Sequence, residues 1–198
     1  MKIYIDKAQQ DGKHELKHDY FISQGYELVF LPLPEGDYVL QDERFEDMIN
    51  EKLNRNMKIS KNDISFGNYI SVDTKRNIQE VIGNICGKSH GRFRDECKRA
   101  MHKKVKFYVL IENEDGVKTV NDLYNWENPR MSKTKWITTP SGQRRKVLNN
   151  KDATSGETLA KAMKTMEERY GVNFLFCTPL ECGKKVLDLL VEKSISYD

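Results

Sequence analysis

The run VKFYVLIEN (105–113) constrains this chain more than any other stretch. Phe107 through Ile111 are apolar at every consecutive position, so neither face of the segment can meet water. A strand of that kind belongs inside a sheet covered on both sides. NFLFC (173–177) repeats the pattern, and Val109, Leu110, Ile111, Phe174, Leu175 and Phe176 are expected in neighbouring buried strands. Shorter strand signals are KIYID (2–6), YELVFLPLP (26–34), EGDYVL (35–40, a turn feeding a strand) and NYISVDTK (68–75).

Helical periodicity lies between them. One short helix is expected around Leu16, Tyr20 and Phe21, stopped by Gly25, and a second over 44–56 with Phe45, Met48, Ile49 and Leu53 on one side. Asn77, with Glu80 three residues on, predicts an N-cap before Ile78, Val81, Ile82 and Ile85. Phe93, Cys97, Ala100 and Met101 mark a further amphipathic helix. Thr154 and Glu157 form a capping-box pattern before Leu159, Met163 and Met166, and Gly171 closes that helix. Thr178, Pro179 and Glu181 head a last helix carrying Cys182, Val186, Leu189 and Leu190. Strands alternating with helices predict an α/β, three-layer sandwich around a central mixed sheet.

The 198 residues suit one domain, expected to span 1–198. Two stretches, about 41–67 and 114–153, are longer than ordinary connections and are expected to be insertions in a smaller core. No apolar run approaches a membrane span, and Met1 leads directly into a strand pattern, so no membrane partner and no secretory signal are expected. Cys86, Cys97, Cys177 and Cys182 show neither CxxC pairing nor zinc-like spacing with histidine. A reduced, cytoplasmic location follows, in the nucleoid or in host cytosol for a phage-encoded protein.

Chemistry concentrates at three residues. Asp37 follows Gly36 at the entry to a strand, and Asp73 and Lys75 lie two apart on another. Strand side chains repeat every two residues, so Asp73 and Lys75 share a face. Two carboxylates on adjacent strands suit Mg²⁺, with Mn²⁺ able to substitute, because a hard cation takes oxygen ligands and keeps several waters. The cation activates a water and offsets charge on a phosphate under attack, and a lysine on that face can orient the water. An acid after glycine, or a lone D-x-K, also occurs as an ordinary turn residue or an exposed ion pair.

The order of short motifs along the chain resembles the nuclease domain of XPF-type structure-specific endonucleases, a branch of the PD-(D/E)XK superfamily. KIYID, LPLPEGDYVL, VDTK, HGRFRDECKRAMHKKVKFYVLIEN and the final Thr-Pro-x-Glu helix fall where that family has its corresponding segments. The likeness covers most of 1–40, 68–112 and 154–193. It implies a restriction-endonuclease-like core, Asp37, Asp73 and Lys75 as catalytic residues, and Asp37, Asp73 and Asp6 as metal ligands. Arg92, at the head of a helix, is implied to contact phosphate or brace the site. A homodimer is implied too. The family's Asp-x-Arg-Glu is here Asp6-Lys7-Ala8-Gln9, its Glu-Arg-Lys is Asp73-Thr74-Lys75, and the acid four residues beyond the lysine is Gln79. No helix-hairpin-helix module follows within the sequence, which leads to the expectation of a compact stand-alone form such as phages and mobile elements carry.

Between Asn128 and Lys151 lie seven basic residues, Arg130, Lys133, Lys135, Arg144, Arg145, Lys146 and Lys151, and no acid. Trp136 sits among them, with Pro140, Ser141 and Gly142 giving a turn. A hairpin or arm of this kind suits phosphate contacts plus one aromatic for stacking on a base. A second cluster (Lys98, Arg99, His102, Lys103, Lys104, Lys106) reads equally well as the solvent face of its helix. The expected function is a Mg²⁺-dependent endonuclease acting on branched or structured DNA, such as Holliday junctions or flaps. The alternatives are an inactive DNA-binding module on the same fold and a restriction-like nuclease cutting duplex DNA.

Overall fold

The computed structural model describes residues 1–10, 12–148 and 153–191. In chain order the elements are β1 (Lys2–Asp6), α1 (Glu15–Ser23), β2 (Glu27–Leu31), β3 (Tyr38–Leu40), α2 (Glu43–Asn54) and β4 (Ile70–Lys75). There follow α3 (Ile78–Ile85), α4 (His90–His102), β5 (Lys106–Glu112), α5 (Pro129–Ser132), β6 (Thr134–Thr138) and β7 (Arg144–Leu148). The last are α6 (Gly156–Tyr170), β8 (Asn173–Cys177) and α7 (Cys182–Val191).

Six strands form one sheet in the order β2-β1-β3-β4-β5-β8. β1 pairs parallel with β2 and antiparallel with β3, β3 runs antiparallel to β4, and β4, β5 and β8 are parallel. The sheet is therefore mixed, as the strand–helix alternation predicts. Val109, Leu110 and Ile111 stand opposite Phe174, Leu175 and Phe176 in neighbouring strands as expected, with Leu175 only partly buried because β8 lies at the edge of the sheet.

Alternation along each strand divides the interior into two layers. Phe107, Val109 and Ile111 join α3, α4 and α6 on one side, through Val81, Ile85, Phe93, Cys97 and Met163. Tyr108 and Leu110 join α1 and α7 on the other, through Phe21, Val186 and Leu190. Burying a side chain of this size contributes about 1.5–3 kcal/mol, so the apolar stripes on both helix layers hold the sandwich together. Asn77 caps α3 as expected, its side chain accepting from Glu80 N at 2.9 Å. A cap of this kind stabilises a helix by about 1 kcal/mol.

Several local expectations shift. The cap of α6 is Ser155, one residue after Thr154, with its side chain accepting from Thr158 N at 3.1 Å. Thr154 instead offers its carbonyl to Asn128 Nδ2. Thr178 and Glu181 make their reciprocal hydrogen bonds, but around a turn that precedes α7. Leu16, Leu53 and Met101 are exposed, although their spacing matches their buried neighbours. Segment 41–67 is long in sequence yet sends Phe45 and Ile64 wholly into the main core, where Phe45 stacks on Tyr4. Segment 114–148 behaves differently, since β6 and β7 pair only with each other as a separate ribbon. Among the described residues, no helix is long and apolar enough to cross a membrane.

Candidate active site

Asp73 and Lys75 project from β4 toward the α4 side of the sheet, two residues apart. Lys75 Nζ lies 2.6 Å from Asp73 Oδ2, and both side chains are nearly covered. The approach is close but poorly directed, so Asp73 Oδ2 is buried without a proper hydrogen-bond donor. Burial pushes the Asp73 carboxyl up to about 8, with the charges of Asp37 and Glu96 adding and Lys75 opposing. Burial also works against the Lys75 ammonium, but Asp73 and Asp37 outweigh it and hold it protonated. The ring of Phe93, on α4, lies 5.9 Å from Lys75 Nζ and covers it.

Asp37 reaches this place through a turn that only glycine permits. Gly36 has φ +68°, and a Cβ there would stand 2.3 Å from Ser71 Oγ and 3.2 Å from the Val72 backbone. The turn is held by Ser71 Oγ donating to Glu35 O at 2.7 Å and by Asp37 N donating to Val72 O at 2.9 Å. Asp37 Oδ2 accepts from both Thr74 N (2.9 Å) and Thr74 Oγ1 (2.7 Å). Thr74 thus anchors one of the two acids. Glu96 Oε1 on α4 accepts from Gly36 N at 2.9 Å, which brings a further acid to the site.

Asp6 is near but already engaged. Its Oδ1 accepts from Leu33 N at 3.2 Å and, more weakly, from Ala8 N, while Oδ2 pairs with Lys61 at 3.2 Å. Among the described residues, no three acids, cysteines or histidines converge as one metal-binding group. A single shell of Asp6, Asp37 and Asp73 is therefore not formed, and two carboxylates with waters are what this geometry offers a hard cation.

Beside the acids lies a groove of about 700 Å³, lined among others by Thr74, Gln9, Lys13, Arg76, Arg92, Arg130 and Lys133. Five of its side chains are cationic and one, Glu80, is acidic. Arg92 stands there, as do the two cations at the root of the 114–148 segment. That root is pinned by Gln79, whose Nε2 donates to Asn128 Oδ1 at 2.7 Å. His14 lines the groove and stacks with His18, both facing the Tyr38 hydroxyl, and burial lowers both histidines. Spacing alone showed nothing of this pair.

The remaining sequence-predicted cations fall on the ribbon, and Lys151 lies outside the described residues. Cross-strand pairing sets Trp136 opposite Lys146 and Ile137 opposite Arg145. Because strand faces alternate, Trp136, Arg144 and Lys146 share one face, and Lys135 and Arg145 the other. The Arg144 guanidinium lies 5.7 Å from the Trp136 ring, which is 60% exposed.

The helix cluster at 98–106 is not all solvent face. Lys103 lies 3.3 Å and Arg99 3.8 Å from the carboxylate of Glu35, which is wholly buried and also accepts from the Tyr69 hydroxyl. Charge complementarity with an acid some sixty residues away was invisible locally. The buried Lys17–Glu112 pair, at 2.5 Å, was equally so.

Residues 5–188 match the ERCC4 domain family. Among solved structures, XPF from Aeropyrum pernix superposes with a TM-score of 0.55 at 13% identity, over 99% of this chain and 66% of that one. XPF from Aeropyrum pernix in complex with DNA superposes with a TM-score of 0.51 at 14% identity, over 100% of this chain and 68% of that one. The chain thus spans about two thirds of the length of these solved relatives. No curated protein sequence matches it.

Proposed function

The chain belongs to the ERCC4 domain family, and from that premise we propose that it is a Mg²⁺-dependent endonuclease cutting phosphodiesters in branched or otherwise structured DNA. The observation that carries this is the buried, unsatisfied Asp73 Oδ2 beside Asp37 and Lys75. Burying a carboxylate costs stability, and the Lys75 ammonium at 2.6 Å offsets that cost for one oxygen without a well-directed hydrogen bond, so a bound cation would stabilise the site further. A hard divalent cation suits the pair, since both are oxygen donors and Asp37 is near enough for its charge to act on Asp73.

When bound, such a cation would supply Lewis-acid polarisation of water and phosphate. The chain's own residues do the rest. Asp37 is held rigid by Thr74, so its oxygens are presented without reorganisation. Lys75 keeps a positive charge in a covered site, where it can hold a water or a phosphate oxygen in line. Phe93 excludes bulk solvent from that ammonium. Arg76, Arg92, Arg130 and Lys133 line the groove that leads to Thr74 and suit a phosphate backbone. The fold is shared with an XPF that has been solved in complex with DNA.

Two copies of the chain belong to this proposal, because a symmetric junction presents two equivalent strands; sedimentation with and without junction DNA tests the dimer. Activity is tested on linear, flap, splayed-arm and four-way DNA, with and without Mg²⁺, using Asp73→Asn as control. Cleavage of the structured substrates by wild type alone supports the proposal. Metal-independent cleavage, or equal cleavage by Asp73→Asn, overturns it. Preference for linear duplex would favour a restriction-like enzyme, and binding without cleavage would favour an inactive module.

A further inference from the structure

We infer that Glu96 is a third carboxylate of the cation site, a positioning residue that acts by its charge and by its hold on the Gly36–Asp37 turn. The inference rests on the metal-dependent reading above and deepens it. α4 crosses the mouth of the site and touches it twice on one face. Phe93 covers Lys75, and three residues later, on the same side of the helix, Glu96 Oε1 accepts from Gly36 N at 2.9 Å. That hydrogen bond meets the turn at the one residue before Asp37. Gly36 is wedged against Ser71 and Val72, so Glu96 grips a backbone with little freedom to slide.

The charge of Glu96 reaches further than its hydrogen bond. Its carboxylate sits on the turn of α4 that also carries Phe93, between the Gly36–Asp37 turn and the Lys75–Asp73 pair. Asp73 itself is 5% exposed, and its Oδ2 is paired with Lys75 at 2.6 Å without a well-directed hydrogen bond. Asp37, Asp73 and Glu96 are thus brought to the same end of β3 and β4, where Lys75 pairs with Asp73. An excess of acid there suits a divalent cation. Glu96 is not an inner ligand in this arrangement, because Oε1 is committed to Gly36 and no three acids form one shell among the described residues.

Charge and grip can be separated by substitution. Glu96→Gln keeps an oxygen acceptor for Gly36 N–H and removes the charge, while Glu96→Asp keeps the charge and shortens the reach. Mn²⁺ affinity is read by electron paramagnetic resonance on protein without DNA, with melting temperature as the control for folding. Loss of a group that orients metal ligands commonly weakens metal binding roughly 10–100-fold, and Glu96→Gln is expected in the lower part of that range. Its melting temperature should match wild type, kcat should fall, and KM for DNA should hold. Glu96→Asp should bind Mn²⁺ more tightly than Glu96→Gln. Wild-type Mn²⁺ affinity in Glu96→Gln, or weaker binding by Glu96→Asp than by Glu96→Gln, overturns the inference. If Asp73→Asn also binds Mn²⁺ like wild type, the metal-dependent reading fails with it; if Asp73→Asn loses Mn²⁺ as expected, only the role of Glu96 falls.

Discussion

The acid end of β3 and β4 and the basic ribbon of β6 and β7 carry opposite charge in opposite ways. At the first, Asp73 and Lys75 are covered, Asp37 is tied twice to Thr74, and α4 closes over the top. On the ribbon, Arg144, Arg145 and Lys146 are exposed, and its strands pair with nothing but each other. An isolated two-stranded ribbon is marginal in water, so this one is held by its root at Asn128 more than by its own core. The contrast has a physical basis. Chemistry needs few charges held rigid and dry, where each is strong. Phosphate contact tolerates long, solvated side chains, since its affinity comes largely from released counterions.

The largest effect should come from breaking the buried end. Asp37→Asn or Asp73→Asn is expected to reduce kcat by about 10³-fold or more, on the scale of losing a preorganised electrostatic group. DNA binding should stay equal or tighten as a repelling charge is removed. Lys75→Ala should also stop turnover but spare Mn²⁺ binding. Single-turnover cleavage with parallel binding measurements checks all three, and a wild-type rate in Asp73→Asn would unmake the site.

Next in size is a pH dependence that only the buried end should show. Burial raises the Asp73 carboxyl, so as pH falls it takes up a proton that a cation must displace. Mn²⁺ affinity should therefore rise with pH up to about 8 and level off above. DNA affinity without metal, carried by the ribbon and groove, should change little over the same range. A flat Mn²⁺ titration between pH 6 and about 8 would contradict the environment assigned to Asp73.

Thr74→Val removes the hydroxyl but keeps the backbone N–H to Asp37, so a smaller loss of about tenfold in kcat is expected, near the value of one hydrogen bond to a charged group. Equal kcat in this variant would mean that Asp37 does not depend on that anchor.

The ribbon should give the smallest and most face-dependent effects. Arg144→Glu and Lys146→Glu should weaken binding to every DNA and lower the log–log salt slope by roughly 0.9 per lost duplex phosphate contact. Trp136→Ala should cost roughly 1–3 kcal/mol on junctions and flaps, where an unpaired base can stack, and less on duplex. Arg145→Glu, on the opposite face, should cost less than Arg144→Glu. Equal losses at Arg144 and Arg145 would show that the ribbon engages DNA with both faces.

Much of this molecule is local physics. Consecutive apolar residues in β5 and β8 favour strands covered on both faces, and all but Leu175 of the central positions are buried. The apolar stripe behind Asn77 needs a helix, and the two-residue step from Asp73 to Lys75 puts both on one face whatever surrounds them. Acid-free, turn-centred 128–148 reads as a basic hairpin for the same reason. What periodicity cannot see is which of several equivalent positions meets a neighbour. Leu16, Leu53 and Met101 match the buried stripes of their helices by spacing yet are exposed.

Tertiary structure alone decided the partners. Thr74 meets Asp37 across 37 residues, Glu96 meets Gly36 across 60, and Lys17 meets Glu112 across 95. Each pair joins residues whose local patterns carry no trace of one another. The first two exist because the sheet places β3 beside β4 with α4 near their ends, and the third because α1 packs against the end of β5. Once buried there, a polar group must find a partner or bind a ligand. Secondary structure follows from short-range sterics and solvation, which a sequence displays directly. Which acid keeps its water, which loses it, and which is left open for a cation is settled only when the layers close.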